Sequence, residues 1–170
     1  EWGSKETEVD FGILYENRYE LLKKAHMRFL KKEPDDFCAF CEEEKDWLES
    51  YAQFMALKDA HGGVAWSEWE SEIRFRNADA MQSVVTKYLD EIHFYKMLQY
   101  LFFKQWRSLK KYANEKGIQI IGDVPIYVAY DSADVWANPN QFYLDENLRP
   151  IEVAGCPPDG FSADGQLWGN

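Results

Sequence analysis

Apolar residues recur every three or four positions over most of the first two-thirds of the chain. From Val9 to Lys32, Leu14, Tyr19, Leu21, Leu22, Ala25, Phe29 and Leu30 gather on one side with Glu and Lys between them. That spacing predicts an amphipathic helix. Asp10 stands at the N-cap position, Pro34 stops the pattern, and Asp35 or Asp36 is placed to cap the next segment. Phe37 to Ala60 predicts a second helical region in two pieces around Glu42-Glu43-Glu44, with Trp47, Leu48, Tyr51, Phe54, Met55 and Leu57 as its stripe. Gly62-Gly63 ends it. Trp66 to Ile73 reads as a connector with its own helical turn, opened by Ser67. Ala78 to Glu115 is helical again. Between His93 and Gly117 the apolar positions cover more than one face, which predicts a helix buried on two sides. Gly117 is placed to close it as a left-handed C-terminal cap.

The period then changes. Ile118 to Ile121 is a short β-branched run directly after the helix, and a strand buried on both faces reads as such a run. It passes at once into Asp123, Pro125, Tyr127, Tyr130 and Asp131. In α/β folds ligands bind at the C-terminal ends of parallel strands, so this switch suits a strand leaving a barrel wall for the mouth of a site. Asp123 would stand at that mouth. Spacing alone serves equally an Asp123 that caps a turn, and Tyr127, Tyr130 and Trp136 that pack the loop onto the core. Tyr143 to Val153 resembles a hairpin turning at Asp145-Glu146-Asn147. The last stretch, GCPPDGFSADGQLWGN, mixes Gly, Pro, Asp and Ser with Phe161 and Trp168. Aromatic plates beside short polar side chains suit sugars, which have an apolar ring face and a hydroxyl rim.

Composition narrows the partners. A formal net charge of −11 over 170 residues speaks against nucleic acid, because phosphate binding needs clustered Lys and Arg. The basic group Lys104, Arg107, Lys110 and Lys111 has the spacing of a solvated helix face. The chain shows no apolar run of bilayer length and no secretory pattern, and a membrane partner is not expected. Three cysteines, an odd count, fit a reducing compartment and a cytoplasmic protein. Cys38 and Cys41 form a C-x-x-C, but no second pair or suitably spaced histidine accompanies it. They read as two thiols one helical turn apart, with no metal site.

The segment GIQIIGDVPIYVAYDSADVWANPNQFYLDENLRPIEVAGCPPDGFSADGQLWGN resembles the amylomaltases, the 4-α-glucanotransferases of glycoside hydrolase family 77. The helical stretches DWLESYAQFMALKD, WSEW and QYLFFKQWRSLKKYANEKGI resemble the same family, so the likeness runs from about Val9 to Asn170. It implies an α/β fold, a piece of a (β/α)8 barrel. Residues 1–116 would form a helical subdomain and barrel helix, and residues 117–170 one barrel strand with substrate-groove loops. It also implies cleavage of α-1,4 bonds in maltooligosaccharides and transfer of the glucanosyl unit with retention, without a metal or organic cofactor. Residue by residue, Asp123 matches an Asp beside the donor sugar. Asp159 and Phe161 match a mobile loop over the groove, and Gln166 and Trp168 match substrate-contacting positions after it. Gly160 departs from the Tyr of many members, and Cys156 from a small aliphatic residue. The family's attacking and proton-transferring carboxylates are expected beyond Asn170, with the remainder of the barrel as partner, so this chain alone is expected to be inactive. Two other classes fit parts of the pattern: an acidic helical interaction module with all its aromatics in the core, and a carbohydrate-binding module without catalysis.

Overall fold

The computed structural model describes residues 7–125 and 127–168; Ile126, Gly169 and Asn170 of the motifs above lie outside them. Seven α-helices carry the fold: α1 (Phe11–Phe29), α2 (Phe37–Glu43), α3 (Lys45–Ala60), α4 (Ser71–Arg74), α5 (Ala78–Lys87), α6 (Leu89–Glu115) and α7 (Ala133–Ala137). Short 3-10 turns span Trp66–Glu68 and Pro139–Gln141, and β1 (Gly155–Cys156) pairs antiparallel with β2 (Gln166–Leu167).

The local signals explain most boundaries. The Ile13 N–H donates to Asp10 Oδ1 at 3.0 Å, which opens α1. The acidic run divides α2 from α3 at Glu44, as its charge pattern predicts. Asp36 precedes α2 but does not cap it with its side chain. Its carboxylate accepts the Tyr100 hydroxyl at 2.6 Å, which ties α2 to α6. The α6 terminus closes on Gly117 at φ 77, with Ile118 N–H donating to Ala113 O and Gly117 N–H to Asn114 O. A left-handed glycine with those two bonds satisfies carbonyls the helix leaves unpaired. Ser67 lies inside the turn it was expected to open; Ala65 occupies the cap position.

The core has three adjoining clusters. One joins Phe54, Leu57, Trp66, Trp69 and Val84 to Val135 and Trp136, so the groove segment shares a core with the helices. A second packs Ala52 and Ala56 against Ile92, Phe94, Tyr95 and Met97, and a third packs Phe37, Phe40 and Leu48 against Tyr100.

Two larger expectations also differ from the structure. Only the first half of α6 is buried, through Ile92, Phe94, Tyr95, Met97 and Tyr100. Beyond it Phe102, Leu109 and Tyr112 are more than half exposed, while Phe103 and Arg107 still meet Phe40, Trp47, Glu43 and Glu44. The strand expected at Ile118–Ile121 forms no ladder, and Ile121 is 91% exposed. A strand is stable only with paired neighbours, and the described residues supply none beside it. The described chain is therefore mostly helical, with little strand and no parallel sheet.

Candidate functional site: the groove loops

Residues 128–148 are held against the helical core. Ser132 Oγ accepts the Val135 N–H at 3.4 Å and starts α7, which buries Val135 and Trp136. Trp136 is thus a packing residue, and its indole N–H donates to Ile73 O at 3.2 Å. The hairpin forms where its turn residues predict it. Asp145 Oδ1 accepts the N–H groups of Asn147 and Arg149, both at 2.8 Å, and Leu144 bridges Pro150. Leu148 takes φ 61 in this turn, and its carbonyl accepts the Tyr130 hydroxyl at 2.7 Å. Burial pushes the Tyr130 phenol pKa up, so Tyr130 stays a donor.

The sequence-predicted residues fall into two groups. Gln166 and Trp168 come together at β2: the Trp168 indole N–H donates to Gln166 Oε1 at 3.0 Å. Trp168 is 45% exposed, and its ring lies 5.3 Å from that of Tyr127 at 44°. Asp159 and Phe161 share a tight loop, in which Asp159 Oδ1 accepts the N–H groups of Phe161 and Ser162 at 2.8 and 2.9 Å. Those bonds leave the Phe161 ring 99% exposed. Asp123 stands apart from both groups, exposed, and makes no hydrogen bond or ion pair among the described residues. It therefore does not cap a turn in this structure.

Two glycines let the β1–β2 connection close. A Cβ on Gly155 would sit 2.4 Å from Gln166 O, and one on Gly165, at φ 74, would sit 2.5 Å from Cys156 O. Neither contact can be relieved by side-chain motion, so glycine is required for the turn that presents Gln166 and Trp168. At Gly160 an added Cβ meets nothing within 4 Å, so the position is open to a larger side chain. Cys156 is half-buried and pairs with Gln166 in the ladder.

A cleft of about 590 Å³ opens between the Tyr127–Tyr130 segment and the hairpin, walled by Tyr127, Tyr130, Phe142, Tyr143 and Glu152. Its size is within the range of small-ligand sites, roughly 300–1,000 Å³. Tyr127 belongs to both the cleft and the Trp168 contact. Sequence reasoning left Tyr127 as loop packing, and only its position in an alternating aromatic and polar run hinted otherwise. Asp131, one of the acids close to Asp123 in sequence, turns away from the cleft and pairs with Lys58.

The remaining candidates carry no site chemistry here. Among the described residues no group of three His, Cys, Asp or Glu side chains is arranged to hold a metal. Burial pushes the Cys41 thiol up, which disfavours a reactive thiolate at the C-x-x-C. Lys104 and Arg107 pair with Asp36, Glu43 and Glu44, as a solvated helix face would. No described helix is long and apolar enough to cross a membrane.

The helical scaffold thus presents exposed aromatics on loops held by Asp and Gly. Comparison with known proteins is more specific. The family model described as 4-alpha-glucanotransferase, glycoside hydrolase family 77, matches residues 2–170. The chain is 44% identical over 170 residues to a 4-alpha-glucanotransferase of Clostridium butyricum, covering 99% of this chain and 35% of that protein. It is 48% identical over 172 residues to the Thermus thermophilus 4-alpha-glucanotransferase, covering 99% of this chain and 34% of that one. Among solved structures, the amylomaltase from Streptococcus agalactiae in complex with acarbose superposes with a TM-score of 0.94 at 45% identity, over 99% of this chain and 34% of that one. The chain belongs to glycoside hydrolase family 77, the 4-alpha-glucanotransferases. It spans about a third of the length of the curated relatives it matches.

Proposed function

We propose that this chain is part of a 4-α-glucanotransferase. The whole enzyme would cleave α-1,4-glucan chains and transfer the glucanosyl unit to another glucan by a retaining double displacement. The observation that carries the reading is the family match across residues 2–170, which includes every groove loop. In such a reaction one carboxylate attacks the anomeric carbon while a second protonates the leaving oxygen and then deprotonates the acceptor. We assign those two groups to other segments of the enzyme. In this chain Asp159 is engaged with its own loop amides and Asp131 with Lys58. The share of the work proposed for residues 117–170 is binding. Trp168 and Phe161 offer faces to sugar rings, Gln166 and Asp159 border them, and Asp123 hydrogen-bonds hydroxyls of the donor sugar. Residues 1–116 are the scaffold.

The barrel is likewise a proposal. Ile118–Ile121 would become a barrel strand once neighbouring strands pair with it, and the exposure of Ile118, Ile121 and Val124 supports a surface made to be covered. The exposed half of α6, with Phe102, Leu109 and Tyr112, supports the same reading. Maltooligosaccharides and the rest of the barrel are thus the proposed partners. A cytoplasmic location accords with the three unpaired cysteines.

Incubation with maltotriose tests the assignment. The full-length enzyme carrying this chain should release glucose and build longer maltodextrins, while the purified 170-residue chain should do neither. Products from the isolated chain would put the reacting carboxylates within these residues, and an inert full-length enzyme would end the glucanotransferase reading.

A further inference from the structure

We propose that Asp131, clasped by Lys58 and Trp66, is a positioning residue of the glucan groove, setting the Tyr127–Trp168 aromatic pair against the helical scaffold. This rests on the reading of residues 117–170 as groove loops given above. Both carboxylate oxygens of Asp131 are engaged, and with different elements. Oδ1 accepts the Trp66 backbone N–H at 3.2 Å, and Oδ2 pairs with the Lys58 ammonium at the end of α3. Lys58 Nζ also donates to Val64 O at 2.9 Å, so one cation joins the helix, the connector and the groove loop.

The neighbouring residue is fastened as firmly. The Trp66 side chain is wholly buried, its indole N–H donates to Tyr130 O at 2.7 Å, and the two rings lie 5.1 Å apart. Tyr130 then passes the constraint to the hairpin through its bond to Leu148 O. Residues 130–131 are therefore held by α3, by the connector and by the hairpin at once. Tyr127 lies three residues before Tyr130 and four before Asp131, within about 10–14 Å along even a fully extended chain. In this proposal the clasp fixes the end of the segment that carries Tyr127, whose ring lies 5.3 Å from that of Trp168.

Lys58 and Asp131 keep 19% and 39% of their side-chain surface exposed, so the pair is only partly open to solvent. Their geometry is specific: an acceptor for a backbone N–H and a counter-charge for an ammonium are demanded of one carboxylate. A sugar platform displaced by a fraction of an ångström loses contact with its ring, which weakens binding before it affects the bond-breaking step.

The test uses full-length enzyme with Lys58→Met, Asp131→Asn and Lys58→Arg, measuring KM and kcat for maltotriose and the melting temperature. Lys58→Met and Asp131→Asn should raise KM about 3- to 10-fold, equivalent to about 0.7–1.4 kcal/mol, with kcat held within about twofold. Lys58→Arg should restore the wild-type KM. An active wild type whose KM ignores all three substitutions, whatever the melting temperature does, overturns the inference alone. A wild type inert toward maltotriose overturns the glucanotransferase reading and this inference with it.

Discussion

Trp168→Ala separates a sugar platform from a core residue. Truncating a fully buried Trp removes transfer energy and leaves a cavity, at about 3–5 kcal/mol. Trp168 is not in that situation: 45% of its surface is exposed, and it belongs to none of the three core clusters. What it loses is the tilted ring contact with Tyr127 at 5.3 Å and an exposed hydrogen bond to Gln166 at 3.0 Å. An aromatic pair is worth roughly 0.5–1.5 kcal/mol, and an exposed hydrogen bond exchanges readily with water. The expected loss of stability is therefore about 1 kcal/mol, a small shift in the urea midpoint followed by far-UV circular dichroism. Binding should respond more. Removing a ring that covers one sugar face costs on the order of 1–2 kcal/mol, so KM for maltotriose in the full-length enzyme should rise roughly 5- to 30-fold. A loss of about 3 kcal/mol or more in stability with an unchanged KM would refute the reasoning, because it would place the indole in the core.

Asp123→Asn in the full-length enzyme should lower kcat/KM about 10- to 100-fold, the scale of one charge-assisted hydrogen bond, and leave the melting temperature unchanged because Asp123 has no partner among the described residues; a lowered melting temperature with intact activity would remove it from the site. A second response is to pH. His26, 6% exposed, places Nε2 2.9 Å from His93 Nδ1, and His93 Nε2 lies 3.0 Å from Glu33 Oε2, which links α1 to α6. Burial, then the neighbouring His93, holds the His26 pKa below its ordinary value, against the opposing pull of Asp90 and Glu91. The unfolded chain therefore binds more protons here than the folded one, and stability present above about pH 6.5 falls as the pH drops through that value towards the depressed pKa. The urea midpoint of wild type should decline between pH 7.5 and pH 5.5 (roughly one unit either side of an ordinary imidazole), and His26→Phe should flatten the decline; an equal slope in both proteins would show that the pair does not couple to folding.

How much of this was legible in the sequence follows from the range of each interaction. The division of α2 from α3 at the acidic run, the Asp10 cap, the Gly117 terminus and the Asp145 turn depend on residues within five positions of one another. Such contacts are set by backbone geometry and short side chains, so spacing alone reveals them. The motif from Asp123 to Trp168 likewise pointed to the family from the sequence, through the order of the Asp, Gly, Pro and aromatic residues along it. The tertiary structure decided matters that depend on distant partners. Apolar periodicity over His93 to Gly117 records which faces of α6 are hydrophobic. It does not record that Tyr95 and Met97 meet α3 while Phe102 and Tyr112 lie more than half exposed. The β-branched run after Gly117 has strand propensity, but a strand needs hydrogen-bonding neighbours, and none of the described residues lies beside it. Asp131 is the clearest case. In the sequence it is one of several acids around an aromatic loop; its partners Lys58 and Trp66 lie 73 and 65 residues away. Only the packing of α7 onto α3 brings them within reach and turns that carboxylate from the groove to the scaffold.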